Sequence, residues 1–141
     1  MIQYASSDDR LGSVPLFEGL SKRQLSQVSS LMTTVNIASG DVLARQGEIG
    51  REFVILLEGE VEVARDGDVI AVRGPGEYIG EIALIDERPR TATVTATTNV
   101  TAEVLNRAEF VTLLADAPEL SSRVTATMAR RLAELESESS P

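Results

Sequence analysis

The chain lacks two residue types on which much of enzyme and metal chemistry depends. Its 141 residues include no cysteine and no histidine. Without cysteine there is no disulfide framework, no thiol nucleophile and no cysteine-ligated zinc. Without histidine there is no imidazole base, no Ser-His-Asp triad and no histidine metal site. Most hydrolytic and redox mechanisms are thereby excluded, so we expect a protein that is not an enzyme and has neither a metal site nor a resident cofactor.

Positive charge and long apolar runs are also scarce. The chain has 13 Lys and Arg against 22 Asp and Glu, a formal net charge of −9. Nucleic-acid binding relies on clustered Lys and Arg, so direct binding of DNA or RNA is not expected. No apolar run approaches the roughly 20 residues of a membrane span, and the start MIQYASSDDRLG has no secretory signal pattern. We expect a cytoplasmic protein without membrane contact.

The length and a hydrophobic content of 43% are typical of one globular domain. We expect a flexible N-terminus over residues 1–13, the folded domain over 14–136 and a polar tail over 137–141. Ser21 is a good N-cap, and the apolar residues after it predict a helix over 21–32. Helical periodicity returns after Asn106, and a last helix is predicted from 118 to about 136.

Short β-branched runs with glycine between them occupy the middle of the chain and predict an antiparallel sheet structure. Asp66-Gly67, between two alternating runs, predicts a tight hairpin. The fold class is therefore α+β: an antiparallel β-roll (a double-stranded β-helix of the jelly-roll type) with an N-terminal helix, a short helix that interrupts the sheet, and C-terminal helices. The predicted strands are 33–38, 41–45, 52–57, 60–65, 69–72, 91–97 and 101–105.

The segment GEIALIDERPRTATV, residues 80–94, is the most informative part of the chain. Residues 81–85 have the pattern of one helical turn, whose unpaired N–H groups form an anion site. Gly80 before that turn lets a ligand approach the backbone closely. Pro89 fixes the chain so that Arg90 enters the next strand at a set angle. The planar guanidinium of Arg90 can then bind a phosphate with two charge-assisted bonds.

Glu81 narrows the predicted ligand. A carboxylate repels a simple anion, but it suits a ligand that also presents hydroxyl donors, as a ribose does. Arg90 for a phosphate and Glu81 for a sugar hydroxyl together indicate a nucleotide with a single phosphate charge. The alternatives are an Arg90 paired with Asp86 or Glu87 at a strand edge, and a Glu81 that only interacts with a helix dipole.

These residues closely resemble the phosphate-binding cassette of the cyclic-nucleotide-binding domain family, which includes bacterial catabolite-activator proteins, kinase regulatory subunits and cyclic-nucleotide-gated channels. The cassette has the form G-E-[L/I]-A-L, a short insert, and P-R-[A/T/S]-A-[T/S]-V. The resemblance covers nearly the whole chain and implies the β-roll fold. It implies phosphate contacts from Arg90, Thr91, Ala83 and Ala92, ribose contacts from Glu81 and Gly80, and a cassette completed by Ile82, Leu84 and Pro89.

The resemblance also implies a function. We expect a regulatory sensor module that binds a cyclic mononucleotide and transmits ligand state through its C-terminal helices to an effector protein, which the sequence does not identify. Thr91 is compatible with cyclic AMP and cyclic GMP, and we favour cyclic AMP. The alternatives are a degenerate domain that acts by protein interaction without a ligand, and a truncated effector domain of a transcription regulator. The helix over 118–136 is long enough to be a candidate surface for homodimerisation.

Overall fold

The computed structural model describes residues 11, 17, 19–50, 52–80, 89–116, 118–122, 126, 129, 130 and 133. Two helices and eight strands have defined bounds among them. They are α1 (Lys22–Leu31), β1 (Thr33–Ile37), β2 (Val42–Ala44), β3 (Glu52–Glu58), β4 (Val61–Arg65), β5 (Asp68–Arg73), β6 (Tyr78–Ile79), β7 (Thr93–Ala96), β8 (Val100–Asn106) and α2 (Arg107–Asp116).

The strands form two antiparallel sheets of four strands each. The first has the order β1-β8-β3-β6, and the second has the order β2-β7-β4-β5. Consecutive strands often lie in different sheets, so the chain crosses repeatedly between them, as expected for a β-roll. The α+β fold predicted from the sequence is confirmed.

Strand β3 is buried on both faces, because it separates two apolar clusters. Phe53 and Ile55 face a cluster that includes residues of α1, α2 and the helical segment 118–122. Val54 and Leu56 face a second cluster, formed with residues of β4, β7 and β8. The continuous apolar sequence of β3 is what a strand with two covered faces requires.

The Asp66-Gly67 hairpin is confirmed between β4 and β5. Both residues have positive φ, 53° at Asp66 and 86° at Gly67, which is the requirement of a tight two-residue turn whose twist matches the strands. Strand β6 was not predicted, since two residues are too few to show alternation. It pairs with β3, where Ile79 lies opposite Val54.

The predicted strand over 91–97 is longer than the strand that forms. Strand β7 begins at Thr93, so Arg90 precedes the strand instead of entering it. The physical reason is that the backbone N–H and C=O of Arg90 bond to the loop around residues 47 and 48 and not to a sheet neighbour.

The helices agree with the predicted positions where they are described. Ser21 caps α1: its Oγ accepts a bond from Gln24 N at 3.1 Å, and Gln24 Oε1 accepts one from Ser21 N at 2.9 Å. Residues 118–122 are helical, and Leu120 is fully buried. None of the helices in the described ranges has the length and apolarity that a membrane crossing requires.

We expect Ser21→Ala to destabilise the protein by about 1 kcal/mol, because it leaves a helix N–H without its cap. Thermal unfolding followed by circular dichroism should show a midpoint lower by about 3 °C. Ser26→Ala is the matched control: Ser26 is exposed inside the same helix, where alanine is the better helix former. Equal midpoints for the two variants would contradict a capping role.

Candidate functional site

The described part of the predicted cassette consists of Gly80 and the residues from Pro89 onward. Residues 81–88 lie outside the described ranges. The contacts predicted for Glu81 and Ala83, and the helical turn predicted over 81–85, therefore stay predictions. The same holds for Ile82 and Leu84, and for Asp86 and Glu87 as alternative partners of Arg90.

The backbone of Arg90 is fixed against the loop that connects β2 to β3. Arg90 N donates to the carbonyl of Glu48 at 2.8 Å, and Gly47 N donates to the carbonyl of Arg90 at 2.9 Å. Pro89 lies beside Ile49 in an antiparallel bridge. Proline has no N–H to donate, so the backbone hydrogen bonds between these two segments are made by Arg90, whose N–H and C=O are both used.

The side chain of Arg90 is held at the start of β3. Its Nη2 donates to the main-chain carbonyl of Glu52 at 2.8 Å. The acceptor is a backbone group at the first residue of a buried strand, so its position does not depend on the Glu52 side chain. The side chain of Arg90 is half-buried.

Two glycines make room for this guanidinium. A Cβ built on Gly50 would collide with Nε and Cζ of Arg90 and would lie 2.6 Å from its Cδ. A Cβ built on Gly80 would collide with Nη1 of Arg90 and would also meet the carbonyl of Glu52. Gly50 and Gly80 therefore form a groove, here called the glycine groove, in which any larger residue would displace Arg90.

Gly80 serves a second purpose in the chain. Its φ is 80°, in the region that glycine enters without strain. It follows β6 directly, so the pairing of β6 with β3 places it beside the carbonyl of Glu52. The structure thus brings together Gly80 and Arg90, which are separated by nine intervening residues in the sequence.

The remaining described cassette residues follow Arg90 along the chain. Thr91 is exposed and Ala92 is half-buried. The carbonyl of Thr91 accepts a bond from Nε of Arg65 at 3.2 Å. Thr93, which follows Ala92, begins β7 and accepts a bond at its Oγ1 from Gln46 N at 3.0 Å.

Sequence reasoning missed Gly50 and Glu52 as parts of this site. Glu52 contributes through its carbonyl, which every residue type possesses, so no sequence signal marks it. Gly50 does leave a signal: it is a second glycine, three residues after Gly47, in the short loop that ends two residues later at the start of β3. Gly47 has a φ of 87° and also contacts Arg90 through its N–H.

The geometry defines what the site can do chemically. A guanidinium in a fixed position beside the backbone of two glycines is suited to bind the oxygens of a carboxylate or phosphate group. Arginine remains protonated at any physiological pH. The site therefore offers a permanent positive charge at a set position in a protein whose net charge is −9.

Comparisons with known proteins identify the family to which the chain is similar. The family model of the Cyclic nucleotide-binding domain matches residues 34–117. The cAMP-dependent protein kinase regulatory subunit of Schizosaccharomyces pombe is 36% identical over 111 residues, which are 78% of this chain and 27% of that subunit. The N-terminal domain of a transcriptional regulator from Streptomyces coelicolor A3(2) has a TM-score of 0.77 and 36% identity, over 94% of this chain and 96% of that one.

A third similar protein is the Catabolite Activator Protein of Thermus thermophilus, with a TM-score of 0.79 and 29% identity over 88% of this chain. The chain spans 61% of that structure and 27% of the fission-yeast subunit. The family match extends from β1 through α2 and includes Gly50, Gly80 and Arg90. This chain belongs to the cyclic nucleotide-binding domain family.

Proposed function

We propose that this domain binds a cyclic mononucleotide and that Arg90 pairs with the cyclic phosphate. The observation that carries the proposal is the glycine groove, in which the guanidinium is bonded to the carbonyl of Glu52. An arginine that is already ordered loses less side-chain entropy on binding than one free in solvent. The groove therefore favours binding before any ligand contact is counted.

Because the protein is acidic, an anionic ligand must be held by direct contacts at the site. With a net charge of −9, the overall field opposes an anionic ligand. Salt screens that field beyond a Debye length of about 8–10 Å, whereas a direct contact is screened much less. A charge-assisted bond from Arg90 contributes about 1.5–3 kcal/mol, so a well-placed contact can outweigh the unfavourable field.

We propose cyclic AMP as the preferred ligand over cyclic GMP. In this proposal Glu81 accepts a bond from the ribose 2′-hydroxyl, with Gly80 beside it. Ala83, Thr91 and Ala92 support the phosphate. The choice of base is supported by the similarity to the fission-yeast protein, which is a cAMP-dependent protein kinase regulatory subunit.

We also propose that ligand state reaches the C-terminal helices through β3. The carbonyl that holds Arg90 belongs to Glu52, and the next residue, Phe53, packs in the same buried cluster as Leu120 of the segment 118–122. A second link joins the helices: Gln24 Nε2 donates to Glu119 Oε2 at 2.7 Å. Movement of the Arg90 anchor therefore has a short packed route to the last described helix. We propose that these helices contact an effector protein and pass the ligand state on to it.

Isothermal titration calorimetry tests the binding proposal. We expect the wild type to bind cyclic AMP more tightly than cyclic GMP. Arg90→Lys keeps the charge but loses the planar fork, so its affinity should fall by about 10- to 150-fold, the equivalent of one charge-assisted bond.

Arg45→Lys is the control, because Arg45 is an exposed arginine in the adjoining loop and should bind as the wild type does. The absence of heat with both nucleotides at millimolar concentration would reject the proposal in favour of a degenerate domain. Unchanged affinity in Arg90→Lys would reject the role of Arg90.

We expect Gly50→Ala to weaken nucleotide affinity by about 10- to 100-fold, as though a charge-assisted bond were lost. The new methyl group occupies the place of the guanidinium. The obstructing atoms are the far end of a flexible side chain, so the arginine can move aside and the protein stays folded. Its free energy of unfolding should therefore change by less than about 1 kcal/mol.

Gly74→Ala is the matched glycine control. Gly74 has no positive φ, and its nearest obstructing atom is Glu60 Cγ at 3.9 Å. Calorimetry and urea unfolding are measured on both variants. Equal affinities would show that the glycine groove does not position the binding arginine.

Hydrogen–deuterium exchange tests the transmission proposal. We expect saturating cyclic AMP to change the exchange of amides in 118–122, which lie at the far end of the packed route from Arg90. In Gly50→Ala at a ligand concentration that saturates it, the change should be smaller, because the anchor is displaced. Identical exchange in this segment with and without bound ligand would contradict transmission while leaving binding intact.

A further inference from the structure

A second arginine contacts the cassette from the β4–β5 hairpin. Arg65 is the last residue of β4, directly before the Asp66-Gly67 turn. Its Nε donates to the main-chain carbonyl of Thr91 at 3.2 Å. Thr91 follows Arg90, so the bond joins the tip of one hairpin to the peptide that comes directly after the proposed phosphate ligand.

The hairpin tip is itself held in place by Gln46. Gln46 Nε2 donates to Asp66 Oδ1 at 2.8 Å, and Asp66 N donates to Gln46 Oε1 at 2.8 Å. Gln46 N also donates to Thr93 Oγ1. The residue after Gln46 is Gly47, whose N–H bonds to the carbonyl of Arg90. One loop therefore fixes both the hairpin that carries Arg65 and the cassette residues that Arg65 contacts.

The geometry of the peptide unit gives this contact a consequence for binding. A trans peptide is planar, so the carbonyl of Thr91 and the N–H of Ala92 point in opposite directions. A donor that fixes the carbonyl on one side thereby fixes the direction of the N–H on the other. Alanine has no polar side chain, so the phosphate contact proposed for Ala92 must be made by this N–H.

The charge of Arg65 adds to this effect. A cationic donor on a carbonyl polarises the peptide, and a polarised peptide is a stronger donor at its N–H. Arg65 therefore both directs and strengthens the Ala92 N–H. It does so from outside the cassette, through a backbone group that the cassette motif does not specify.

We infer that Arg65 is a positioning residue for the phosphate of the bound nucleotide, acting through the Thr91–Ala92 peptide and not by contact with the ligand. The inference rests on the proposed function, since the Ala92 N–H is useful only if an anion binds there. It adds a determinant of affinity that lies outside the cassette sequence.

The test separates positioning from a general effect of charge. Arg65→Met removes the donor and one positive charge, while Arg45→Met removes one positive charge from an exposed position in the adjoining loop. Arg65→Lys retains a charge and an N–H donor. Nucleotide affinity is measured by calorimetry for all three variants and the wild type, with thermal unfolding as a check that each is folded.

We expect Arg65→Met to bind cyclic AMP about tenfold more weakly, which corresponds to the loss of the bond that the Ala92 N–H donates to the phosphate in this proposal. Arg65→Lys should recover part of that loss, and Arg45→Met should stay within about twofold of the wild type, since an exposed charge is screened by salt. In ¹⁵N spectra of the ligand-free protein, the Ala92 amide should shift in Arg65→Met and return toward the wild-type position in Arg65→Lys.

The outcomes distinguish this inference from the proposed function. If the wild type binds neither nucleotide, the proposed function fails and this inference fails with it. If the wild type binds but Arg65→Met and Arg45→Met have equal affinity, only the positioning role is rejected. If Arg65→Met does not fold, Arg65→Gln, which also removes the positive charge, takes its place: wild-type affinity together with an unchanged Ala92 amide in Arg65→Gln would reject the positioning role.

Discussion

The position of the site depends on the burial of β3 on both faces. Phe53, Val54, Ile55 and Leu56 are all buried, and each such side chain contributes about 1.5–3 kcal/mol when it leaves water. A single backbone hydrogen bond contributes about 0.5–1.5 kcal/mol net. The core therefore determines where β3 begins, and the bond from Arg90 to the carbonyl of Glu52 follows from that placement.

The loop between β2 and β3 converts this placement into a site. Its successive residues have separate contacts: Gln46 holds the hairpin tip, Gly47 and Glu48 hold the backbone of Arg90, and Gly50 leaves room for the guanidinium. The loop ends where β3 starts, so a shift of the strand would move all of these contacts together. Arg90 is consequently fixed at its backbone and at its guanidinium by one continuous segment.

Sequence reasoning succeeded where residue type carries the information. The hairpin at Asp66-Gly67 and the cap at Ser21 were predicted because only a few residue types suit those positions, and the strands of the roll were predicted from short β-branched runs separated by glycine. It failed where the backbone is the functional group. The carbonyls of Glu52 and Thr91 hold two arginines, yet any residue would supply them, so Arg65 appeared only as the end of a strand. Strand β6, which positions Gly80, has two residues and no readable period.

The choice of backbone carbonyls as arginine acceptors bears on how an acidic domain can hold an anion. A carboxylate partner fixes a guanidinium but also cancels much of its charge. A carbonyl dipole fixes the same group and adds no formal negative charge beside it. Positive charge is scarce in this chain, which has 13 basic residues against 22 acidic ones. The bonds from Arg90 to Glu52 and from Arg65 to Thr91 are both of this kind. Neither acceptor carries a formal negative charge, so these two bonds orient basic side chains at the cassette without adding to the acidic field of the whole protein.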